Sequence, residues 1–168
     1  MSSYRVFLGL GSNIGDRLGF LNRAAAEISR LRGTTIVWAS SVYETSPVGK
    51  EPQASFLNAV LEVTTSLPPG ELLPEVKGLE QKIGRSPGER WGPREIDIDI
   101  LLYDGVVVRD AAVAVPHPEM ENRRFVLVPL REIAPDVVHP VSGMTVEELA
   151  RACRDSGRVV RIQGRIQW

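Results

Sequence analysis

A single cysteine, Cys153, excludes an internal disulfide and suits a reducing compartment. Twenty Lys and Arg against 21 Asp and Glu leave a net charge of −1, so the chain has no general attraction for nucleic acid or an anionic membrane. No apolar run approaches the roughly 18 residues that cross a bilayer. The N-terminus has no basic region followed by a long apolar stretch, so no secretion signal is expected. Repeats, linkers and low-complexity segments are missing too. The expected protein is cytoplasmic and monomeric, with small molecules and neither nucleic acid nor membrane as partners.

What is present fits one globular domain over residues 1–168, with 43% apolar and 24% charged residues. A chain of this length buries roughly 70% of its unfolded surface. The most informative stretch is Arg90-Trp91-Gly92-Pro93-Arg94-Glu95-Ile96-Asp97-Ile98-Asp99-Ile100-Leu101-Leu102. From Ile96 it alternates apolar and acidic residues, the period of a half-buried strand. Asp97 and Asp99 then project together, with Ile96, Ile98, Ile100 and Leu102 pointing the other way into a core. Adjacent carboxylates repel, so protons or cations must compensate them. Magnesium suits the pair, because it prefers carboxylate oxygen and keeps positions open for water and phosphate. Arg90 and Arg94 flank Trp91 just upstream, and cations beside a carboxylate-held metal are what a polyphosphate requires. The plainer alternative is an edge strand blunted by acids with solvated arginine partners.

Residues 4–10 read as a buried strand running into Gly9-Leu10-Gly11-Ser12-Asn13-Ile14-Gly15-Asp16. That glycine-rich turn lacks the spacing of a dinucleotide fingerprint, and a tight structural turn is the better reading. Asp16 caps a helix carrying Leu18, Leu21, Ala25, Ile28 and Leu31, which Gly33 ends. Strands over 34–43 and 56–65 follow, then a helix over 70–82 and a long polar loop over 84–95 of the kind that forms lids. Asp104-Gly105 signals a hairpin, with residues 106–109 pairing back onto the acidic strand. Val115-Pro116-His117-Pro118 is rigid and extended. Helices within 119–132 and 145–155 and a strand over 159–162 complete an α+β fold, a mixed or antiparallel sheet covered by helices.

Arg94, and Arg85 from the long loop, are placed to neutralise a triphosphate, and Trp91 to close over substrate. His117 is held between two prolines, either as a phosphate donor or as a structural hydrogen-bonded group. Phe56 and Phe125 are core residues or, across a cleft, a sandwich for a flat heterocycle. In the second case Asn58 offers donor and acceptor to the ring's edge.

The run Arg90-x-Gly-Pro-Arg94-x-x-Asp97-Ile-Asp99-Ile-Leu resembles the signature of the 6-hydroxymethyl-7,8-dihydropterin pyrophosphokinases of the folate pathway. Gly-Ser-Asn-Ile-Gly-Asp, Tyr43-Glu44-Thr45-Ser46-Pro47, Phe56-Leu57-Asn58-Ala59, Val115-Pro116-His117-Pro118 and Asn122-Arg123-Arg124-Phe125 are similar to further blocks of that family, in its order, across about the first 140 residues. The resemblance implies a ferredoxin-like three-layer αβα sandwich. It also implies transfer of pyrophosphate from ATP, as co-substrate, to the hydroxymethyl group of the pterin, releasing AMP. By the same resemblance Asp97 and Asp99 hold two magnesium ions, and Thr45, Val48, Phe56, Asn58 and Phe125 line the pterin pocket. Glu80, Ile100, His117 and Arg123 meet the nucleotide, while Arg85, Trp91 and Arg94 belong to the closing loop. The chain departs from the family at Pro87 and Ala112, where arginines are often found, and at Pro118, often an aromatic. Two other readings compete with this one. One is a different two-metal nucleotidyl- or phosphoryl-transferase; the other is a non-catalytic ferredoxin-like RNA-binding module, which calls for a basic sheet face.

Overall fold

The computed structural model describes residues 2–48, 52–88 and 92–168. The first apolar run forms β1 (Tyr4–Ser12). Asp16 then accepts the N–H of Gly19 and caps α1 (Arg17–Ser29), whose Leu21, Ala25 and Ile28 are buried. The helix stops at Ser29, earlier than its apolar spacing suggests. Gly33, at φ +71°, turns the chain into β2 (Thr34–Ala39) instead of closing the helix. The expected strand over 34–43 is broken at Ser40, and its second half is β3 (Ser41–Thr45). There follow β4 (Phe56–Thr65), α2 (Pro69–Ile83) and β5 (Asp97–Tyr103). Two short strands, β6 (Val108–Arg109) and β7 (Ala114–Val115), pair with each other. Residues 106–109 therefore do not pair back onto the acidic strand as the Asp-Gly signal predicted. A 3-10 turn (Met120–Asn122), α3 (Arg124–Ile133), α4 (Val146–Ala152) and β8 (Val159–Arg165) complete the chain. Thr145 and Glu148 form a reciprocal capping box at the start of α4.

The main sheet runs β5-β1-β4-β3-β8, with β2 also on β4, and every pairing is antiparallel. Since β1 and β2 both oppose β4, they are parallel to each other, and α1 is their crossover. Likewise β4 and β5 both oppose β1, with α2 between them. If β2 and β3 count as one interrupted strand, the first four strands stand in the order fourth, first, third, second. Apolar side chains on one face of the sheet (Val6, Leu8, Ile98) pack with Leu21 and Ile28 of α1 and Leu72 and Val76 of α2. Those on the other face (Phe7, Val60, Leu101) pack with Leu127 and Leu130 of α3 and Leu149 of α4. The result is three layers, helix–sheet–helix, as the sequence implied.

One irregularity in β5 matters for function. Phe7 pairs with Leu102 and Leu8 with Ile100, so Leu101 is an extra residue, a β-bulge. The bulge breaks the alternation: Ile96, Ile98 and Ile100 enter the α1/α2 core, but Leu102 joins Leu101 in the α3/α4 core. Leu102 thus lies opposite to its expected side. The carbonyl of Leu101 accepts the N–H of His117 at 2.8 Å, which ties the histidine segment to the bulge.

Candidate active site

Asp97 and Asp99 face away from the α1/α2 core, as the period-2 pattern demands, and their Cα partners across the sheet are Gly11 and Gly9. The residue beside each carboxylate therefore has no side chain, and a cavity of about 510 Å³ opens over this part of the sheet. A Cβ at Gly11 would stand 2.8 Å from Asn58 Nδ2, so glycine is required there for packing. Thr45 and Val48 follow from β3, Phe56 and Asn58 stand at the head of β4, and Arg123 and Phe125 lie where the chain enters α3; all line the same cavity. His117, Pro118 and Glu119 close another side.

Asn58 is held from two directions. Its Oδ1 accepts the Thr45 hydroxyl at 2.6 Å, and its Nδ2 donates to the Leu10 carbonyl at 3.2 Å. An amide has two donors and two acceptor lone pairs, so one of each remains for a ligand. The Arg123 guanidinium lies 5.7 Å from the centre of the Phe125 ring, a cation–π arrangement.

At the acidic end, three carboxylates meet three cations. Arg94 reaches Asp97 at 3.3 Å; Arg85 reaches Glu80 at 2.9 Å and Asp97 at 3.8 Å; Lys77 reaches Glu80 at 3.2 Å and Asp99 at 3.8 Å. Burial pushes the Asp97 carboxyl up, but Lys77, Arg94 and Arg85 outweigh it and hold the group below its ordinary value. Asp99 is pushed up to about 6, first by burial and then by the charge of Asp97. Burial also raises Glu80. Asp99, raised by burial and by the charge of its neighbour, still favours a further cation beside it. The pair's donors are all carboxylate oxygens turned into an open cavity, so the residues fit a hard divalent cation such as magnesium. Among the described residues no three His, Cys, Asp or Glu side chains are grouped so as to hold one metal ion together, so water and phosphate oxygens would complete the coordination of such an ion.

His117 is neutral here. Its Nδ1 accepts the N–H of Glu119 at 3.1 Å, so the ring proton sits on Nε2. Burial and then the nearby Arg123 lower its pKa to about 4.

Ten of the residues singled out in the sequence thus share one cavity: Thr45, Val48, Phe56, Asn58, Arg94, Asp97, Asp99, His117, Arg123 and Phe125. Arg85 and Glu80 border it through the ion-pair network. The Ile100 side chain is buried in the α1/α2 core, on the opposite face of β5 from the aspartates. Trp91 and Arg90 lie outside the described residues. Sequence reasoning passed over Gly9, Lys77 and Glu119. Lys77 had one available signal, its position three residues before Glu80 on the same helix. The glycine-rich turn has a structural task. Asn13 Oδ1 accepts the N–H of Arg94 at 2.7 Å, the N–H of Asn13 bonds the Arg94 carbonyl at 3.0 Å, and its Nδ2 donates to Gln53 and Ala54.

The family model described as 7,8-dihydro-6-hydroxymethylpterin-pyrophosphokinase matches residues 7–135, a span that contains every cavity-lining residue. The chain belongs to this family. Relatives named 2-amino-4-hydroxy-6-hydroxymethyldihydropteridine pyrophosphokinase include that of Aquifex aeolicus, 46% identical over 143 residues (85% of this chain, 88% of the relative). The Bacillus subtilis relative of the same name is 47% identical over 131 residues, 78% of each chain. The Plasmodium falciparum HPPK-DHPS structure with pterin and p-hydroxybenzoate matches 90% of this chain at a TM-score of 0.72 and 17% identity. This chain spans 42% of that one, and the likeness bears on the fold, the ferredoxin-like αβα sandwich. As a pyrophosphokinase-family member the chain is an enzyme that uses ATP as co-substrate. Among the described residues, no helix is long and apolar enough to cross a membrane.

Proposed function

We propose that this chain transfers pyrophosphate from ATP to 6-hydroxymethyl-7,8-dihydropterin in folate synthesis. The observation that carries the reading is the continuity of one cavity, with an aromatic and amide slot at one end and the Asp97–Asp99 pair at the other. Phe56 and Phe125 offer faces to a flat pterin, and Asn58, held by Thr45, reads its edge. Asp97 and Asp99 would hold two magnesium ions, which supply charge neutralisation of the triphosphate when bound. Arg85, Arg94 and Arg123 add positive charge around the phosphates, His117 donates from Nε2, and Trp91, outside the described residues, keeps the substrate-side role that the family resemblance implies. Glu80 and the outer edge of β5 at Ile100 border the nucleotide end.

The substrate hydroxymethyl oxygen attacks the β-phosphorus of ATP. An O–P bond forms, the bond between the β-phosphorus and the bridging oxygen to the α-phosphate breaks, and AMP leaves with that oxygen. The hydroxyl proton passes to solvent. Such transfers ask a protein for alignment and charge more than for covalent chemistry, and fixed side chains around one cavity suit that demand. The single cysteine supports a reducing, cytoplasmic setting, and the near-neutral charge supports small molecules rather than nucleic acid or an anionic membrane as partners.

The test is a magnesium-dependent assay with ATP and 6-hydroxymethyl-7,8-dihydropterin, followed by chromatography of the nucleotides. AMP formed only when pterin and metal are both present is the expected result. ADP as product would place the chain in another reaction class.

A further inference from the structure

The chain beyond residue 135 lies outside the family match, yet a turn within it touches both walls of the slot assigned to the pterin. Asp155 Oδ2 accepts the N–H of Arg124, the first residue of α3, at 3.0 Å. The Arg123 side chain, at the N-cap position, makes no capping hydrogen bond, and a carboxylate from 31 positions away does the capping. The other oxygen of Asp155 accepts the N–H of Gly157 at 2.8 Å and shapes the turn; Arg124 Nη1 donates to the Gly157 carbonyl at 3.3 Å. The next residue, Arg158, exchanges two bonds with Ser46. The Ser46 N–H donates to the Arg158 carbonyl at 3.0 Å, and the Arg158 N–H donates to Ser46 Oγ at 2.9 Å. β8 then begins with Val159 opposite Thr45.

Two walls therefore converge on one short turn. Phe125 takes its place from the first turn of α3, which Asp155 caps. Thr45 and Val48 take theirs from the stretch that Ser46 anchors to Arg158. A second cavity of about 300 Å³, lined by Thr45, Val48, Phe125, Asp155 and Arg158 among others, shares these walls with the slot. The turn thus stands behind the walls without itself lining the main cavity. A slot for a flat ring binds well only when its two sides are held apart by the thickness of that ring before the ligand arrives.

We propose that Asp155 is a positioning residue for the pterin: through the turn at 155–158 it fixes the gap between Phe125 and the wall on which Thr45 pairs with Phe56. This rests on the pterin reading of the slot and adds the C-terminal segment to it. Asp155→Ala in the full chain releases the Arg124 and Gly157 N–H groups together. The pterin Kd and KM should rise about five- to twentyfold while ATP affinity and kcat stay within about twofold, since only pre-organisation of the pterin side is lost. Asp155→Asn keeps an oxygen for the Arg124 N–H but turns an NH2 toward the Gly157 N–H, and should recover only part of the pterin affinity. Ser46→Ala removes the acceptor for the Arg158 N–H, leaves α3 untouched, and should also weaken pterin selectively. If Asp155→Ala does not fold, the other two variants decide the matter.

Equal losses for ATP and pterin, or a lowered melting temperature with unchanged pterin affinity, would reduce the turn to a general brace and overturn the proposal. Wild-type protein that binds ATP but no pterin would overturn the reading of the slot itself, and that outcome is seen before any variant is made.

Discussion

The Glu80 carboxylate accepts the backbone N–H of Ile98 at 2.7 Å, at the point of β5 that lies between Asp97 and Asp99. On the same helix, Lys77 donates to the Ile98 carbonyl at 2.9 Å. β5 is the last strand of its sheet, so both backbone groups of Ile98 would otherwise face outward unpaired. Instead α2 is clipped to the strand edge between the two aspartates.

Glu80→Ala should therefore cost stability as well as turnover. It leaves the Ile98 N–H without its acceptor and frees Arg85 and Lys77 from their closest carboxylate. The expected loss is about 1–3 kcal/mol in chemical denaturation. Glu80→Gln, which keeps an acceptor oxygen, should lose less stability than Glu80→Ala, and an equal loss in both would refute the role of the clip.

Asp99→Asn should separate function from stability. The carboxylate is pushed up to about 6 by burial and by Asp97, so its charge is unfavourable in the metal-free protein. Turnover is expected to fall about a hundred- to a thousandfold, while the metal-free melting temperature holds or rises. A variant that keeps its activity would remove Asp99 from the metal site.

Gly11→Ala tests the floor of the slot. Its new Cβ would meet Asn58 Nδ2 at 2.8 Å, and Asn58 is already held by Thr45 and Leu10, so the amide must shift. Pterin affinity should drop with little effect on ATP. Titration of each ligand separately would reveal the asymmetry.

Phe125→Ala should weaken pterin more than ATP, by about tenfold, because a stacked aromatic contact is worth about 0.5–1.5 kcal/mol beyond its buried area. Equal losses for the two ligands would assign Phe125 to packing alone.

His117 carries a signed pH dependence. Its pKa falls from an ordinary 6.5 to about 4 in the fold, so between these values the unfolded chain binds the proton more readily. The native state is thus favoured above pH 6.5, and this contribution disappears as pH drops toward 4. Because the ring is only partly buried, about 1–2 kcal/mol is expected across that window. The stability difference between wild type and His117→Gln, followed from pH 7 to pH 4, should narrow on the acid side. A His117 imidazole resonance titrating above pH 6 would contradict the neutral, Nε2-protonated ring.

Much of the architecture was legible because it is local. β4 occupies residues 56–65 as expected, and Asp16 caps α1 through a bond only three residues long. Errors arose where a distant partner decides. Val108 and Arg109 find β7 instead of β5, and Ser40 interrupts a strand whose two halves share β4 as partner. The bulge at Leu101 reverses Leu102, and nothing in the run of apolar residues marks it, because each side chain there suits either core.

By itself the sequence determined that Asp97 and Asp99 share a face, since a strand's side chains alternate whatever it pairs with. It also carried the motif blocks by which the family is identified. Only the tertiary structure decided that Gly9 and Gly11 lie across from those carboxylates, that Glu80 and Lys77 grip the strand edge, and that Asp155 caps a helix 31 residues earlier in the chain. Those relationships depend on the register between strands and on which helix covers which edge. Both are settled by the burial of whole faces at once, a quantity that no short stretch of residues contains.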